Sequence, residues 1–336
     1  MKRPTFVRAT LAGAVLLVLS GPALAAACRG QDLMQRFGRT HPAAVRTIER
    51  EGAAMPHGTG RLFRLTRAGV PPSWLFGTIH SADRRVAEPP AAVAATLRDA
   101  RLVALELDRD PGAGDLFAGM NPAEIDRLLI APPDGQVATL LTRADLGRLE
   151  TAAKPYGLTP EMARAMRPSI LATMMSIPAC ASRPEPGHPV LDGRLFRMAK
   201  DAGKPVVGLE TIAEQLGSMA DIPVPAQKAL IVSTIRHLPE SENMLETLTV
   251  LYGRGEIGRI VAWARSPRPV PTIDAPLPPV FYEALIDRRN VRMAERAAPL
   301  LAAGNAFVAV GAAHLPGETG LLRLLEKVGW GVERME

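Results

Sequence analysis

Four short runs constrain this chain most: SWLFGTIH (73–80), RLVALELD (101–108), KPVVGLE (204–210) and AFVAVGAAH (306–314). Each is almost wholly apolar and then stops at a histidine or a carboxylate. A strand with one wet face alternates polar and apolar residues. A short run without alternation predicts a strand covered on both faces, the habit of parallel sheets packed under helices. The expected fold is therefore α/β, a central mixed and largely parallel sheet. Between the runs lie segments with helical spacing, including most of 121–180.

The remaining elements follow from local signals. Gln31 to Glu51 reads as helical. RLFRLTR (61–67) and SWLFGTI (73–79) read as a hairpin joined through Ala-Gly-Val-Pro-Pro. Pro90 to Ala100 reads as a helix with proline in its first turn. Asn121 and Thr142 are expected N-caps. Helices are expected over 191–202, from Thr211 to Asp221, as two or three segments over 225–264, and from Pro279 to Ala302. Another is expected over 317–329, before a final strand GVERM. The order strand, Gly-x-x-His, loop, helix, strand fits both 73–108 and 306–335, which hints at two related halves.

The first residues carry a different message. Lys2, Arg3 and Arg8 precede the apolar stretch Leu11–Leu19, and Ala23-Leu24-Ala25 fits a cleavage site. This pattern reads as a signal peptide over residues 1–25, too short for the ~20 apolar residues of a span. The expected location is periplasmic or secreted, with lipid attachment at Cys28 as a minor alternative. The layout beyond is an N-terminal helical arm, 26–57, and a main domain, 58–336, with a mainly helical insertion about 115–200. Proline-rich connectors are expected at Pro184–Pro189 and Pro267–Pro279. Cys28 and Cys180 are the only two cysteines. An even pair in an exported chain suggests one disulfide tying the arm to the middle of the sequence. Two unpaired buried thiols are the alternative.

Charge excludes a large class of partners. Removing Lys2, Arg3 and Arg8 from the 40 basic residues leaves 37 against 34 acidic ones. The basic residues are interspersed with acidic ones and few aromatics are available for stacking, so nothing points to nucleic acid.

Chemistry concentrates at the ends of the apolar runs. His80 and His314 each close a Gly-x-x-His turn, Gly77-Thr78-Ile79-His80 and Gly311-Ala312-Ala313-His314. Glu106 interrupts VALELD and Glu210 ends PVVGLE. A glutamate is rarely buried without a partner or a cation. If the strands are parallel, all four side chains reach one sheet edge, where open α/β sheets bind ligands. Two imidazoles and two carboxylates suit a divalent metal such as zinc, manganese or cobalt. For each residue alone a structural role competes: a satisfied core histidine, a solvated carboxylate, or a helix-start acid at Glu210. In LIDRRNVRM, Arg289 lies four residues from both Leu285 and Met293, and Asn290 four from Ile286. Both turn toward the apolar side of their helix, where an arginine needs an anion unless it snorkels to water. Either is a candidate to hold a site carboxylate or an oxyanion. His41, His57, His188 and His237 sit in polar or proline-rich contexts and read as surface residues. The chain has no Gly-x-Ser-x-Gly elbow, no His-Glu-x-x-His and no Walker loop.

On WLFGTIHSAD, VALELD, GKPVVGLET with Gln215, RRNVRM and VAVGAAHLPGETGLLRLLEKVGWGVERM, the sequence resembles the TraB/GumN family, related to the Tiki proteins. The resemblance spans most of the chain beyond residue 25. It extends to ACRGQDL and SIPAC, and so implies the Cys28–Cys180 pairing. It also implies two related halves in one sheet with a helical insertion, a fold akin to EreA- and ChaN-like proteins. Tiki proteins are metal-dependent proteases that use paired Gly-x-x-His motifs and glutamate. Carried over, His80 and His314 become the main metal ligands. Glu106 and Glu210 become ligand or base, and Arg289 and Asn290 support catalysis. The implied activity is a metal-dependent hydrolase, a peptidase, acting on a peptide or small envelope-associated substrate. The alternative is a non-catalytic envelope protein that binds haem, metal or another ligand, as the distantly similar ChaN proteins do.

Overall fold

The computed structural model describes residues 28–112, 116–182, 188–266 and 279–336. The expected signal peptide, and the connector residues 183–187 and 267–278, lie outside the described residues.

Six strands form one sheet: β1 (Leu62–Arg67), β2 (Val70–Thr78), β3 (Leu102–Leu105), β4 (Val206–Gly208), β5 (Ala306–Gly311) and β6 (Gly331–Arg334). Their order is β4-β3-β5-β2-β1-β6. β4 and β3, β3 and β5, and β5 and β2 pair in parallel. β1 runs antiparallel to both β2 and β6. The sheet is thus mixed and largely parallel, and β1 alone opposes the other strands.

Alternation along each strand sorts the core into two layers. Leu102, Ala104, Ala306, Val308 and Val310 point to one face, with Phe63, Leu65 and Leu75. That face is covered by Met293, Ala297 and Leu301 of the helix Arg288–Ala302 and by Leu321, Leu322 and Leu325 of the helix Leu321–Lys327. Val103, Leu105, Phe307, Ala309, Leu62 and Phe76 point to the other face. There they meet Val93 and Leu97 of the helix Ala91–Asp99, and Leu191, Leu195 and Ala199 of the helix Leu191–Asp201. A separate helical core gathers residues from Phe117 to Met175 together with Ile212, Ile231 and Ile235, so segments on both sides of β4 build it.

Several boundaries differ from the sequence reading. The arm is two helices, Leu33–Thr40 and Pro42–Ala54, because Pro42 starts a new helix after His41. The hairpin turn is only Ala68-Gly69, and Val70, Pro71 and Pro72 belong to β2. Two prolines are tolerated there because β2 pairs with β5 only from Trp74 onward. The helix expected from Pro279 to Ala302 is interrupted by a π-helical turn, Glu283–Asp287. Asn121 and Thr142 cap their helices as expected, each accepting a backbone N–H. Cys28 and Cys180 form a disulfide across 152 residues of sequence. That bond occupies the thiol that lipid attachment at Cys28 would need.

Candidate functional site

Parallel pairing puts the C-terminal ends of β2, β3, β4 and β5 on one edge, and the six singled-out residues meet there. β2 and β5 are neighbours in the register Gly77↔Val310 and Thr78↔Gly311, so the two Gly-x-x-His turns leave side by side. Both glycines sit where space is tight, Gly77 more so than Gly311. A Cβ at Gly77 would stand 2.6 Å from Leu315 Cδ1 and 3.0 Å from Ala312 Cα. One at Gly311 would stand 3.2 Å from Glu106 Oε1, in the space that carboxylate uses.

Glu106 follows Leu102 and Ala104 in the period of two, so it turns to the face covered by the Arg288–Ala302 helix. Its Oε1 accepts the Gly311 N–H at 2.6 Å. Its Oε2 accepts Arg289 Nη2 at 2.7 Å and Gln215 Nε2 at 3.0 Å. Glu210 is tied to the same strand end, its N–H donating to the Glu106 carbonyl at 2.8 Å. Glu210 Oε2 accepts Arg289 Nε at 2.8 Å and Nη2 at 2.6 Å. Arg292 Nε lies 3.3 Å from Glu210 Oε1. Arg289 is therefore the buried clamp between two carboxylates, not a snorkelling side chain. It also donates to the Leu285 carbonyl, inside the π-helical turn.

The two histidines are anchored through the same ring atom. His314 Nδ1 lies 2.7 Å from Asn290 Oδ1, and Asn290 Nδ2 donates to the Thr319 carbonyl at 2.8 Å. An amide oxygen only accepts, so the proton sits on His314 Nδ1. His314 Nε2 lies 4.0 Å from Glu106 Oε1. His80 Nδ1 lies 2.8 Å from Asp192 Oδ2, and Thr78 Oγ1 donates to Asp192 Oδ1 at 2.7 Å.

Electrostatics divides these groups. Burial lowers His314 to about 4, against the pull of Glu106, so its imidazole is neutral at neutral pH. The Asp192 charge raises His80 to about 9, against desolvation. The His80 side chain is 61% exposed, so solvent screens that pull. Burial pushes Glu106 upward, but the charges of His314, Arg289 and His80 and the Gly311 N–H outweigh it and hold the carboxyl well below its usual range. Burial likewise disfavours the charged form of Arg289, and Glu106 and Glu210 outweigh it.

The set bears unequally on a metal. Both Nδ1 atoms face hydrogen-bond acceptors, which leaves Nε2 as the candidate metal donor of each ring, free on His314 and protonated on His80 until a metal displaces the proton, and such outer-shell anchoring is the habit of metal-ligating histidine. With Glu106 Oε1 they form the part of the site whose chemistry fits a divalent ion. Glu210 does not share in it: its side chain is 0% exposed and faces Arg289 and Arg292. Among the described residues, no three His, Cys, Asp or Glu side chains already stand together as a metal-holding group.

Sequence reasoning missed Asp192. Aspartate in a first helical turn is routine, and no local signal marks it. Gln215 entered only through the resemblance. His57, His188 and His237 are half-buried rather than exposed, and His57 Nε2 pairs with Glu326 Oε1 at 3.0 Å. The helix after His314 begins only at Leu321, with Gly320 as its N-cap.

Fold and edge together define an open-sheet α/β protein with a paired-histidine, paired-glutamate site. The chain belongs to the TraB/PrgY/gumN family, whose model matches residues 62–334. No curated protein and no solved structure was found to match it.

Proposed function

We propose that the protein is an exported hydrolase, a metal-dependent peptidase, that works at the edge formed by His80, Glu106 and His314. The observation that carries this reading is the matched anchoring of the two imidazoles. With Nδ1 held by Asp192 and by Asn290, each ring keeps Nε2 as its one remaining donor atom: His314 is already neutral, and His80, held protonated by Asp192, would release a proton on binding a metal. Arg289, Gln215 and the Gly311 N–H keep Glu106 ionised and fixed beside them. A divalent metal held by His80, His314 and Glu106 would supply Lewis acidity and lower the pKa of water. His80, the exposed member, meets the substrate side. Arg289 and Asn290 are engaged by Glu106, Glu210, His314 and Thr319, so they position the working groups. Export is supported by the basic-then-apolar N-terminus and the disulfide. No described helix is long and apolar enough to cross a membrane.

The test is elemental analysis of the purified mature protein alongside cleavage of a peptide library. The expected result is stoichiometric metal and chelator-sensitive cleavage, both lost in His80→Ala and His314→Ala. Metal content and cleavage unchanged in both variants would overturn the proposal. A second reading is favoured by the Arg289 clamp, which already pairs with both glutamates. Such a site suits retention of haem, metal or another ligand without turnover, and tight binding with no cleavage would select it.

A further inference from the structure

The two imidazoles are not held equally. His314 is buried, and the packing around its ring fixes it together with Asn290. His80 stands largely in solvent, where a side chain ordinarily samples several rotamers on the ps–ns timescale. Its only hydrogen bond among the described residues is to Asp192.

We propose that Asp192 is a positioning residue, whose carboxylate receives His80 Nδ1 on one oxygen and the Thr78 hydroxyl on the other and so fixes the direction of His80 Nε2. This rests on the reading of His80 as a working residue of the edge. The bland explanation of Asp192 is an acidic residue favouring its own helix start. The geometry argues against that as the whole account. Asp192 is the second residue of the helix Leu191–Asp201, and that helix has no side-chain hydrogen bond at its N-cap, Val190. Both Asp192 oxygens instead reach across to the end of β2. The platform beneath is rigid: Leu191, Leu195 and Ala199 are buried against the sheet. The Leu191 N–H also donates to the Ser81 carbonyl at 3.2 Å. Three hydrogen bonds thus stitch the first turn of this helix to residues 78–81, on both sides of the imidazole. The two oxygens divide the work, since the Thr78 contact orients the carboxylate that in turn orients the ring.

The experiment compares Asp192→Ala and Asp192→Asn with the wild type in the disulfide-intact mature protein. Two readouts are used: 13C relaxation of the His80 ring, and affinity for Co2+ measured by competition with a chelating dye. Thermal unfolding confirms that each variant is folded. Asparagine keeps an oxygen for Nδ1, as Asn290 does for His314, whereas alanine keeps none. The expected ring order parameter is about 0.85 in the wild type and in Asp192→Asn, and below about 0.6 in Asp192→Ala. Cobalt affinity is expected to fall about 10–100-fold in Asp192→Ala and to be largely recovered in Asp192→Asn. A His80 ring as ordered in Asp192→Ala as in the wild type would overturn the assignment. A wild type that binds no cobalt would count against the metal site alone, because the ring order still decides the role of Asp192.

Discussion

His80 and His314 follow neighbouring strands at the same Gly-x-x-His spacing, yet they end in opposite surroundings. His314 is enclosed with Glu106, Glu210, Arg289 and Asn290, and every one of those polar residues is buried. His80 stands in the open with one carboxylate behind it. The difference teaches how such an edge divides its labour. The enclosed half is a network in which each member is costly to bury and is tolerated only because its neighbours neutralise it. The open half has only one carboxylate to hold it and stands exposed to solvent.

The sharpest way to break this contrast is at the clamp. Arg289→Met leaves buried Glu106 without its arginine and Glu210 with only Arg292 beside it, and the expected loss is about 3–5 kcal/mol in urea unfolding. Adding Glu210→Leu to Arg289→Met should recover part of that loss, because it removes one stranded charge. Asn290→Ala is expected to cost less, about 1–3 kcal/mol by the same measurement, since it strands the His314 N–H and the Thr319 carbonyl. The opposite pKa directions of the two rings give the finest test, in chelator-treated protein. His314 is lowered to about 4 from 6.5, so acid protonates the unfolded chain first, and its contribution falls as pH drops from 6.5 to 4. His80 is raised to about 9, so its contribution is complete below 6.5 and is lost as pH climbs to 9. His314→Gln should flatten the acid limb of a stability–pH curve and His80→Gln the alkaline limb. The alkaline effect is the smaller, because solvent screens an exposed pair.

Much of the edge was legible because burying the wrong residue is expensive. A glutamate at the end of VALELD or PVVGLE, or an arginine on the apolar side of a helix, declares a partner before any fold is known. Their meeting required only that the strands be parallel, which the unalternated runs implied. Asp192 gave no such signal, since nothing about it is costly where it stands. The π-helical turn at Glu283–Asp287 was hidden for another reason: apolar residues continue past it at helical spacing, so the pattern reads as unbroken. The split of the arm was readable at Pro42. The shortness of the hairpin turn was masked by Pro71 and Pro72, which read as loop residues unless the one-sided pairing of early β2 is known.

β5 carries a consequence for how the protein comes into being. It lies between β3 and β2, which do not touch without it, and it is supplied only from residue 306 onward. A chain interrupted before that point would lack both the central strand and His314. Chemical competence therefore arrives with the last stretch of polypeptide, all at once. A half-delivered molecule would be inert toward its surroundings, a useful property if, as proposed, the protein is an exported hydrolase.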